Sequence, residues 1–305
     1  MQSRSVERES MRKDISFQSA GLVCRGWFYP GEGKGPRPTV VMSHGITAVK
    51  EQYLASYAER FCAEGFSVLV FDYRYLGASD GEPRGRVVPH LQHEDIRAAL
   101  TYVSRLPEVD AERIALWGTS FSGAHAIFVG ALDHRVKAIV VQVPALNVPH
   151  SLIALISRPA FDGLMVTLVA DQAARSAGGR GDSIPVVAPL GQPAFLVPPD
   201  AYEWFTNSAK VAPNWLNTIS FESIARAAEY VPDAFIELVA PRPLLMQVAT
   251  KDSLIPINMA RQAFRRAGEP KTLEVYECGH FDPYANEPWH SQFLAGQVRW
   301  LKEHL

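Results

Sequence analysis

The sequence has few cysteines and almost no excess of charge. Its three cysteines, Cys24, Cys62 and Cys278, are too few and too scattered for a disulfide framework or a structural zinc site, which favours a reducing compartment. Lys and Arg number 30 against 32 for Asp and Glu, so the formal net charge is -2. That balance gives no support to a role in nucleic-acid binding.

Long apolar runs are missing too. No window approaches the roughly 20 apolar residues that span a bilayer, and the apolar run 136–148 is interrupted by Pro144. The polar segment 1–14 lacks the apolar core of a secretory signal and is predicted to be a frayed lead-in. We therefore expect a soluble, cytoplasmic protein with no membrane span.

From about residue 39 onward, short apolar runs alternate with longer amphipathic stretches. This pattern indicates an α/β protein, in which a mostly parallel sheet is covered by helices on both faces. The predicted strands are 15–18, 22–29, 39–43, 67–71, 114–118, 136–143, 243–249 and 272–276. The predicted helices lie near 52–63, 91–104, 122–132, 257–267 and 292–304.

The alternation stops after Pro144 for roughly 95 residues, and a structureless loop of that length is uncommon. We therefore predict an α/β core over 1–144 and 241–305, with a partly helical cap inserted over 145–240. The glycine-rich stretch 178–182 would form its flexible or turning tip.

One segment, 114–123, runs from a strand into a helix through small residues, in the sequence IALWGTSFSG. This is the context of a nucleophile elbow, in which Ser120 sits on a strained bend with its hydroxyl above the sheet edge. Ser122 replaces the last glycine of the G-x-S-x-G pattern, but it keeps the small size that the bend requires. The alternative is an ordinary connection in which Ser120 only caps the helix.

A serine hydroxyl needs a base to activate it and an acid to orient that base. Asp252 and His280 follow the strands 243–249 and 272–276, in the order serine, acid, histidine that elbow hydrolases use. Each lies at the carboxyl end of a strand, where the ligand sites of open α/β sheets gather. We predict Ser120, Asp252 and His280 as a catalytic triad. Taken singly, Asp252 could be a helix cap and His280 an ordinary loop residue.

The oxyanion formed by attack on a carbonyl needs two preorganised donors. The residue after the nucleophile supplies one, which is the N–H of Phe121. The loop after an early strand supplies the other. In the loop 42–47, Gly45 would let the backbone approach the substrate and leave the N–H of Ile46 as the second donor. An ordinary turn is the alternative for this loop.

The order of these motifs resembles the α/β-hydrolase superfamily from about residue 14 to the C-terminus. The matching segments are His44-Gly45, Asp72-Tyr73-Arg74 with 77–81, the elbow, the cap, Asp252 and Gly279-His280-Phe281. Within it, the segments 48–51, 118–123 and 279–282 resemble the branch that holds fungal polyketide transferases and X-prolyl-peptidase-like hydrolases. The resemblance implies acyl-enzyme chemistry on an ester, thioester or amide, and the fungal members imply transfer of a polyketide acyl chain. We see no separate segment for recognising prolyl peptides, which speaks against peptidase activity.

Two other clusters are interpreted as structural. His90 and His93 have the spacing of metal ligands on a helix, but the start of a solvated helix explains them better. The turn 77–81 lacks the lysine and the glycine spacing of a phosphate-binding loop. His125 and His134 are assigned to packing or capping. We expect no metal and no cofactor.

The sequence therefore predicts a serine hydrolase that acts on a small-molecule acyl substrate, and a homodimer is the assembly that we consider. An acyltransferase and a non-catalytic binding protein on the same scaffold are the alternatives. The apolar and aromatic side chains of the cap are expected to form the roof of the pocket, and the candidates for substrate contact are Trp204, Trp215, Phe161 and Met165. The alternative is that these side chains form only the core of the cap itself.

Overall fold

The structure, a computed structural model, describes residues 12–305. Within that range the strands are β1 Lys13–Ser19, β2 Leu22–Tyr29, β3 Arg37–Ser43, β4 Ser67–Phe71, β5 Val109–Thr119, β6 Val136–Gln142, β7 Ser183–Ile184, β8 Ile219–Ser220, β9 Leu244–Ala249 and β10 Lys271–Tyr276. The helices are α1 Leu54–Ala63, α2 Pro89–Val103, α3 Phe121–Leu132, α4 Val148–Ile156, α5 Arg158–Ser176, α6 Pro199–Ser208, α7 Phe221–Ala228, α8 Ile257–Arg266, α9 Asp282–Ala285 and α10 Trp289–His304. A 3-10 helix covers Pro232–Val239.

The main sheet has the order β1-β2-β4-β3-β5-β6-β9-β10. β1 and β2 pair antiparallel, β2 also pairs antiparallel with β4, and the remaining pairs are parallel. The carboxyl ends of β5, β9 and β10 therefore lie at one edge of the sheet, where the predicted triad residues follow.

Alternation of side chains along the strands explains why both faces are covered. In β5, Leu116 belongs to a buried cluster that contains Ile96 and Ile127 of the helices α2 and α3. Its neighbour Trp117 belongs to a second cluster that contains Phe61 of α1 and Leu301 of α10. Successive strand residues point to opposite faces, so helices on each face find an apolar surface to bury. This is the mostly parallel, helix-covered sheet that the sequence predicts.

The local differences from prediction have simple causes. β5 begins at Val109 instead of residue 114, because Val109 pairs with Arg37 across a register shift. The one-turn helix α9 was not predicted, since four residues carry no periodicity. The lead-in predicted for 1–14 lies mostly outside the described residues, and its last two residues, Lys13 and Asp14, already belong to β1.

Between β6 and β9 the chain leaves the main sheet and forms α4 to α7, the β7-β8 pair and the 3-10 helix. We call residues 144–243 the cap segment. Its Leu168, Val186 and Phe205 are buried in the same cluster as strand residues of the sheet, so the cap segment and the sheet share one core. Gly178, with φ +85°, lies in the turn after α5. The domain limits at 145 and 240 stay a prediction.

Among the described residues, no single helix has the length and apolar composition to cross a membrane. α4 and α5 together would meet both criteria, but they are bent by 117° at their junction.

Candidate active site

Ser120 lies on a sharp bend between β5 and α3. Its φ of 54° and ψ of -119° are strained for a residue with a side chain, as an elbow requires. Gly118 must be glycine, since a Cβ there would lie 2.1 Å from the carbonyl oxygen of Ser122. The Ser120 N–H donates to the carbonyl of Gln142 on the neighbouring strand at 2.9 Å, which ties the bend to the sheet.

The structure brings the three predicted triad residues together. His280 Nε2 lies 3.1 Å from Ser120 Oγ, and His280 Nδ1 lies 2.7 Å from Asp252 Oδ2. The other carboxylate oxygen of Asp252 accepts the N–H groups of Leu254 and Ile255, at 2.9 and 2.7 Å. These bonds orient the carboxylate, which orients the imidazole, which can then take the serine proton.

Ser122 is oriented away from this chain of hydrogen bonds. It is fully buried, and its Oγ lies 2.5 Å from the hydroxyl of Tyr73, two residues after β4. The two serines of the elbow therefore have separate surroundings, and Ser120 is the one that contacts a histidine.

The residues that carry the two predicted oxyanion donors lie beside Ser120. Ile46 and Phe121 both line cavities that contain Ser120. Among the described residues, no protein acceptor takes the N–H of either one. A Cβ at Gly45 would lie 3.3 Å from the Cβ of Ser120, so a side chain there would crowd the nucleophile. The N–H of Phe121 is free because the first amides of a helix have no partner within it.

A buried ion pair supports the loop that carries Ile46. Lys50 Nζ and the Lys50 N–H both donate to the Asp72 carboxylate, at 2.7 and 2.8 Å, and Ala78 N–H donates to it at 2.9 Å. His44, also buried, donates from Nδ1 to the carbonyl of Gly45 at 3.0 Å. Burial lowers the pKa of His44 and keeps its ring neutral. Sequence reasoning missed this support, because charge spacing alone does not show that Lys50 is buried.

Two cavities adjoin Ser120. The first, which we call the aromatic pocket, lies beside His280. The second, which we call the α4 pocket, lies along helix α4. The aromatic pocket is lined by His44, Gly45, Ile46, Ala48, Gln52, Leu54, Thr119, Ser120, Leu196, Trp204, Phe205, Leu254, His280, Phe281 and Tyr284. The α4 pocket is lined by Ile46, Ser120, Phe121, Ala145, Val148, Ser151, Leu152, Leu155, Phe195, Leu196, Leu254 and Ile255.

Of the predicted substrate contacts, only Trp204 lines a cavity beside Ser120. Trp215 stacks on Phe205 with ring centroids 5.2 Å apart and lies behind the pocket wall. Phe161 and Met165, on α5, pack against the shared core without lining either cavity. Contact of these three residues with a substrate stays a prediction.

Neither cavity is lined by Asp, Glu, Lys or Arg. Carboxylates occur instead in a separate cleft, on which Asp200, Glu203 and Asp282 lie together with the outer side of Trp204. A neutral, largely apolar group is therefore the kind of ligand that the space beside Ser120 accommodates.

The expectation of a solvated helix face at His93 requires a correction, whereas His125 is packed as predicted. His93 is buried rather than on a solvated face, and it stacks on Phe128 with ring centroids 4.1 Å apart. The Tyr230 hydroxyl, from the cap segment, lies 2.8 Å from His93 Nε2 and 2.9 Å from His125 Nδ1. His125 Nε2 donates to Gln92 Oε1 at 2.9 Å. Among residues 12–305, no group of three or more His, Cys, Asp or Glu side chains could hold a metal ion.

Comparison with known proteins gives three sets of matches. Residues 34–280 match the family model described as serine aminopeptidase, S33. The quorum-quenching protein AidA of Acinetobacter baumannii is 31% identical, with 95% of this chain and 94% of that protein covered. The polyketide transferase af380 of Aspergillus fumigatus is 31% identical, with 96% and 99% covered. The thiohydrolase aneE of Aspergillus aculeatus is 33% identical, with 97% and 95% covered.

A solved structure shows the same fold. The α/β hydrolase GrgF from Penicillium superposes with a TM-score of 0.81 at 26% identity, and the match covers 96% of this chain and 98% of that one. The predicted α/β-hydrolase fold and the resemblance to fungal polyketide transferases are both confirmed.

Proposed function

The chain belongs to the serine aminopeptidase S33 family of α/β hydrolases, and from that premise we propose that it cleaves carboxylic esters or thioesters of a neutral, small-molecule acyl substrate. The reaction runs through an acyl-enzyme on Ser120. Asp252 and His280 complete the triad, and the N–H groups of Ile46 and Phe121 form the oxyanion hole.

The mechanism follows from the hydrogen bonds. His280 Nε2 takes the proton of Ser120 Oγ while that oxygen attacks the carbonyl carbon, and the carbonyl oxygen becomes an oxyanion facing two N–H donors. The same proton then passes from His280 to the departing oxygen or sulfur, which leaves Ser120 acylated. A water molecule gives a proton to His280 and attacks the acyl carbon, and the acid departs as the proton returns to Ser120. Asp252 stabilises the transient imidazolium.

The neutral lining of the two cavities carries the proposal. An aminopeptidase must hold the ammonium group of its substrate close to the scissile carbonyl, and a buried ammonium needs a carboxylate partner. Neither cavity beside Ser120 offers one. The family name thus describes the scaffold, and the lining favours a neutral acyl group over a free peptide N-terminus.

Acyl transfer is the second candidate, and the walls beside His280 favour it. Trp204, Phe205 and Phe281 make this pocket apolar, so an alcohol or thiol with an apolar body can bind where water is held poorly. Such an acceptor would give its proton to His280 and take the acyl group from Ser120. The thiohydrolase and polyketide transferase relatives are named for these two outcomes.

The test compares three substrates with the same purified protein: p-nitrophenyl octanoate, the octanoyl thioester of N-acetylcysteamine, and leucine p-nitroanilide. We expect the ester and the thioester to be cleaved at least 100-fold more efficiently than the anilide. Product analysis with added benzyl alcohol then separates hydrolysis from transfer. Protein inactivated with a fluorophosphonate is the control. Preference for the anilide would overturn the proposal, and failure to label would instead favour a non-catalytic binding protein.

A cytoplasmic location also belongs to this proposal. The support for it is that the three cysteines are all free and buried.

A further inference from the structure

We propose that Gln142, the last residue of β6, is a positioning residue that holds Ser120 and His280 at the separation that proton transfer requires. Its side chain lines neither cavity beside the nucleophile and acts instead through hydrogen bonds to Thr119 and Tyr57. The assignment rests on the proposed acyl-enzyme chemistry and adds to it a residue that supports the triad from within the core.

Gln142 holds the elbow through both its backbone and its side chain. Its carbonyl oxygen accepts the N–H of Ser120 at 2.9 Å, and its Nε2 donates to the hydroxyl of Thr119 at 3.3 Å. Thr119 is the last residue of β5 and lies opposite Gln142 in the sheet. The Thr119 hydroxyl in turn lies 2.6 Å from that of Tyr284 on α9. Two consecutive residues at the bend are therefore tied to β6.

The same glutamine side chain reaches the turn that follows His280. Helix α9 begins two residues after His280, and its second residue is Pro283. The hydroxyl of Tyr57, on α1, lies 2.9 Å from Gln142 Oε1 and also contacts the carbonyl oxygen of Pro283. Gln142 is therefore one hydrogen-bonded side chain away from the backbone that carries His280.

Other hydrogen bonds fix the direction in which the Gln142 amide faces. The indole N–H of Trp117 can only donate, and it donates to Gln297 Oε1 at 2.9 Å. The amide nitrogen of Gln297 then faces the Oε1 atoms of Gln142 and Gln247, at 3.1 and 2.7 Å. With its oxygen held on that side, Gln142 has its Nε2 free to donate toward Thr119.

Burial makes this arrangement difficult to change. Gln142, Gln247 and Gln297 are all fully buried, and each of their amide oxygens and nitrogens has a partner. A buried amide without a partner destabilises the fold, so a paired network favours one arrangement over its alternatives. Misplacement of a reacting group by about 1 Å can lower the rate about 100-fold. A network that contacts both the elbow and the turn after His280 can therefore determine turnover.

The experiment uses two matched pairs of variants. Gln142→Met and Gln247→Met each replace a buried amide by an apolar chain of the same length, but only Gln142 contacts Thr119 and Tyr57. Tyr57→Phe and Tyr276→Phe each remove one hydroxyl, which contacts Gln142 in the first case and Gln247 in the second, at 2.9 and 3.4 Å. The constants kcat and KM are measured for p-nitrophenyl acetate, at a temperature below the onset of thermal unfolding of every variant.

We expect Gln142→Met to lower kcat about 30-fold and Tyr57→Phe about tenfold, with KM within about threefold of wild type, because the triad loses its geometry while the substrate cavities stay intact. Gln247→Met and Tyr276→Phe should keep both constants within about threefold of wild type. Equal kcat within each pair would overturn the assignment, as would a loss confined to KM. If Gln142→Met does not fold, the tyrosine pair decides between these outcomes. Wild-type protein that cleaves no ester would overturn the proposed function, and the assignment with it.

Discussion

The active site lies between two sides of the molecule, and the two sides are built on different principles. On the sheet side, defined by Ser120, Asp252, His280 and the loop of Ile46, polar groups are placed by directional hydrogen bonds. On the cap side, defined by the cap segment, the groups that face Ser120 are mostly apolar. The tryptophans show the contrast: Trp117 Nε1 in β5 donates to Gln297 Oε1 at 2.9 Å, whereas the buried indole nitrogens of Trp204 and Trp215 have no partner among the described residues.

This difference separates the reaction from the choice of substrate. A hydrogen bond weakens steeply when its geometry changes, so the sheet side must be held to within tenths of an ångström. The free energy of apolar contact is roughly proportional to the buried area, and it tolerates changes of shape. Substitutions on the sheet side should therefore lower turnover of all substrates alike, and those on the cap side should change ratios between substrates.

The sharpest test is the pair of elbow serines. Ser120→Ala should lower kcat for p-nitrophenyl esters by about 10⁶-fold and prevent fluorophosphonate labelling, because no oxygen remains to carry the acyl group. Ser122→Ala removes only a buried bond to Tyr73 and should retain kcat within about tenfold, at a stability cost of about 1 kcal/mol. An inactive Ser122→Ala beside an active Ser120→Ala would place the nucleophile two residues later.

Sequence reasoning could reach the sheet side because periodicity locates strands, and consecutive parallel strands end at one edge. Asp252 and His280 follow β9 and β10, which are neighbours in the sheet, and Ser120 follows β5 two strands away from β9. Order along the chain was therefore enough to predict that the three side chains meet. The position of the loop after β3, which carries Ile46, could be predicted in the same way.

The cap side could not be predicted to that depth, because residues 144–243 contain helices but no main-sheet strand whose end would show which side chains reach Ser120. Phe195 and Leu196 reach Ser120 from a segment without a helix or a main-sheet strand, whereas Trp215 of the same region lies behind the wall. The directions of these side chains depend on a path set by tertiary packing. Burial of Lys50 with Asp72 could not be predicted either, because it also depends on tertiary packing.

A second test asks whether the carboxylate on the sheet side acts through His280. Asp252→Asn should lower kcat about 10⁴-fold for acetyl and octanoyl esters alike, since an amide can hold the wrong tautomer of the imidazole and cannot stabilise its charged form. Asp282→Asn is the matched control. Asp282 accepts from Gly279 N–H at 2.7 Å and supports the same loop without contacting the imidazole, so it should stay within about tenfold. Equal losses in the two variants would mean that the role of Asp252 is only to hold its loop.

The smallest expected effect concerns the contact between the two sides, where Tyr230 of the cap segment lies between His93 and His125. Burial first, and the nearby charges of Arg97 and His90 second, lower the pKa of His93 from 6.5 to about 3. Burial and the neighbouring His93 lower the pKa of His125 well below its usual value. Both rings are therefore neutral in the folded protein at pH 5.5, whereas in the unfolded chain they are mostly protonated.

The unfolded state thus binds more protons as pH falls below about 6.5, and the free energy of unfolding must fall with it. With a pKa of about 3 in the folded protein, His93 should remove ~1.4 kcal/mol between pH 7.5 and 5.5. His93→Phe keeps a ring stacked on Phe128 and loses the titrating group, so urea unfolding at the two pH values should show a pH-dependent loss smaller than that of wild type by about this amount. Phe128→Leu loosens the same packing but keeps His93, so this variant should show the same pH-dependent loss of stability as wild type. If His93→Phe and wild type lose equal stability over this range, His93 is not held neutral where the cap segment contacts α2 and α3. The contact with Tyr230 would then tolerate a protonated imidazole.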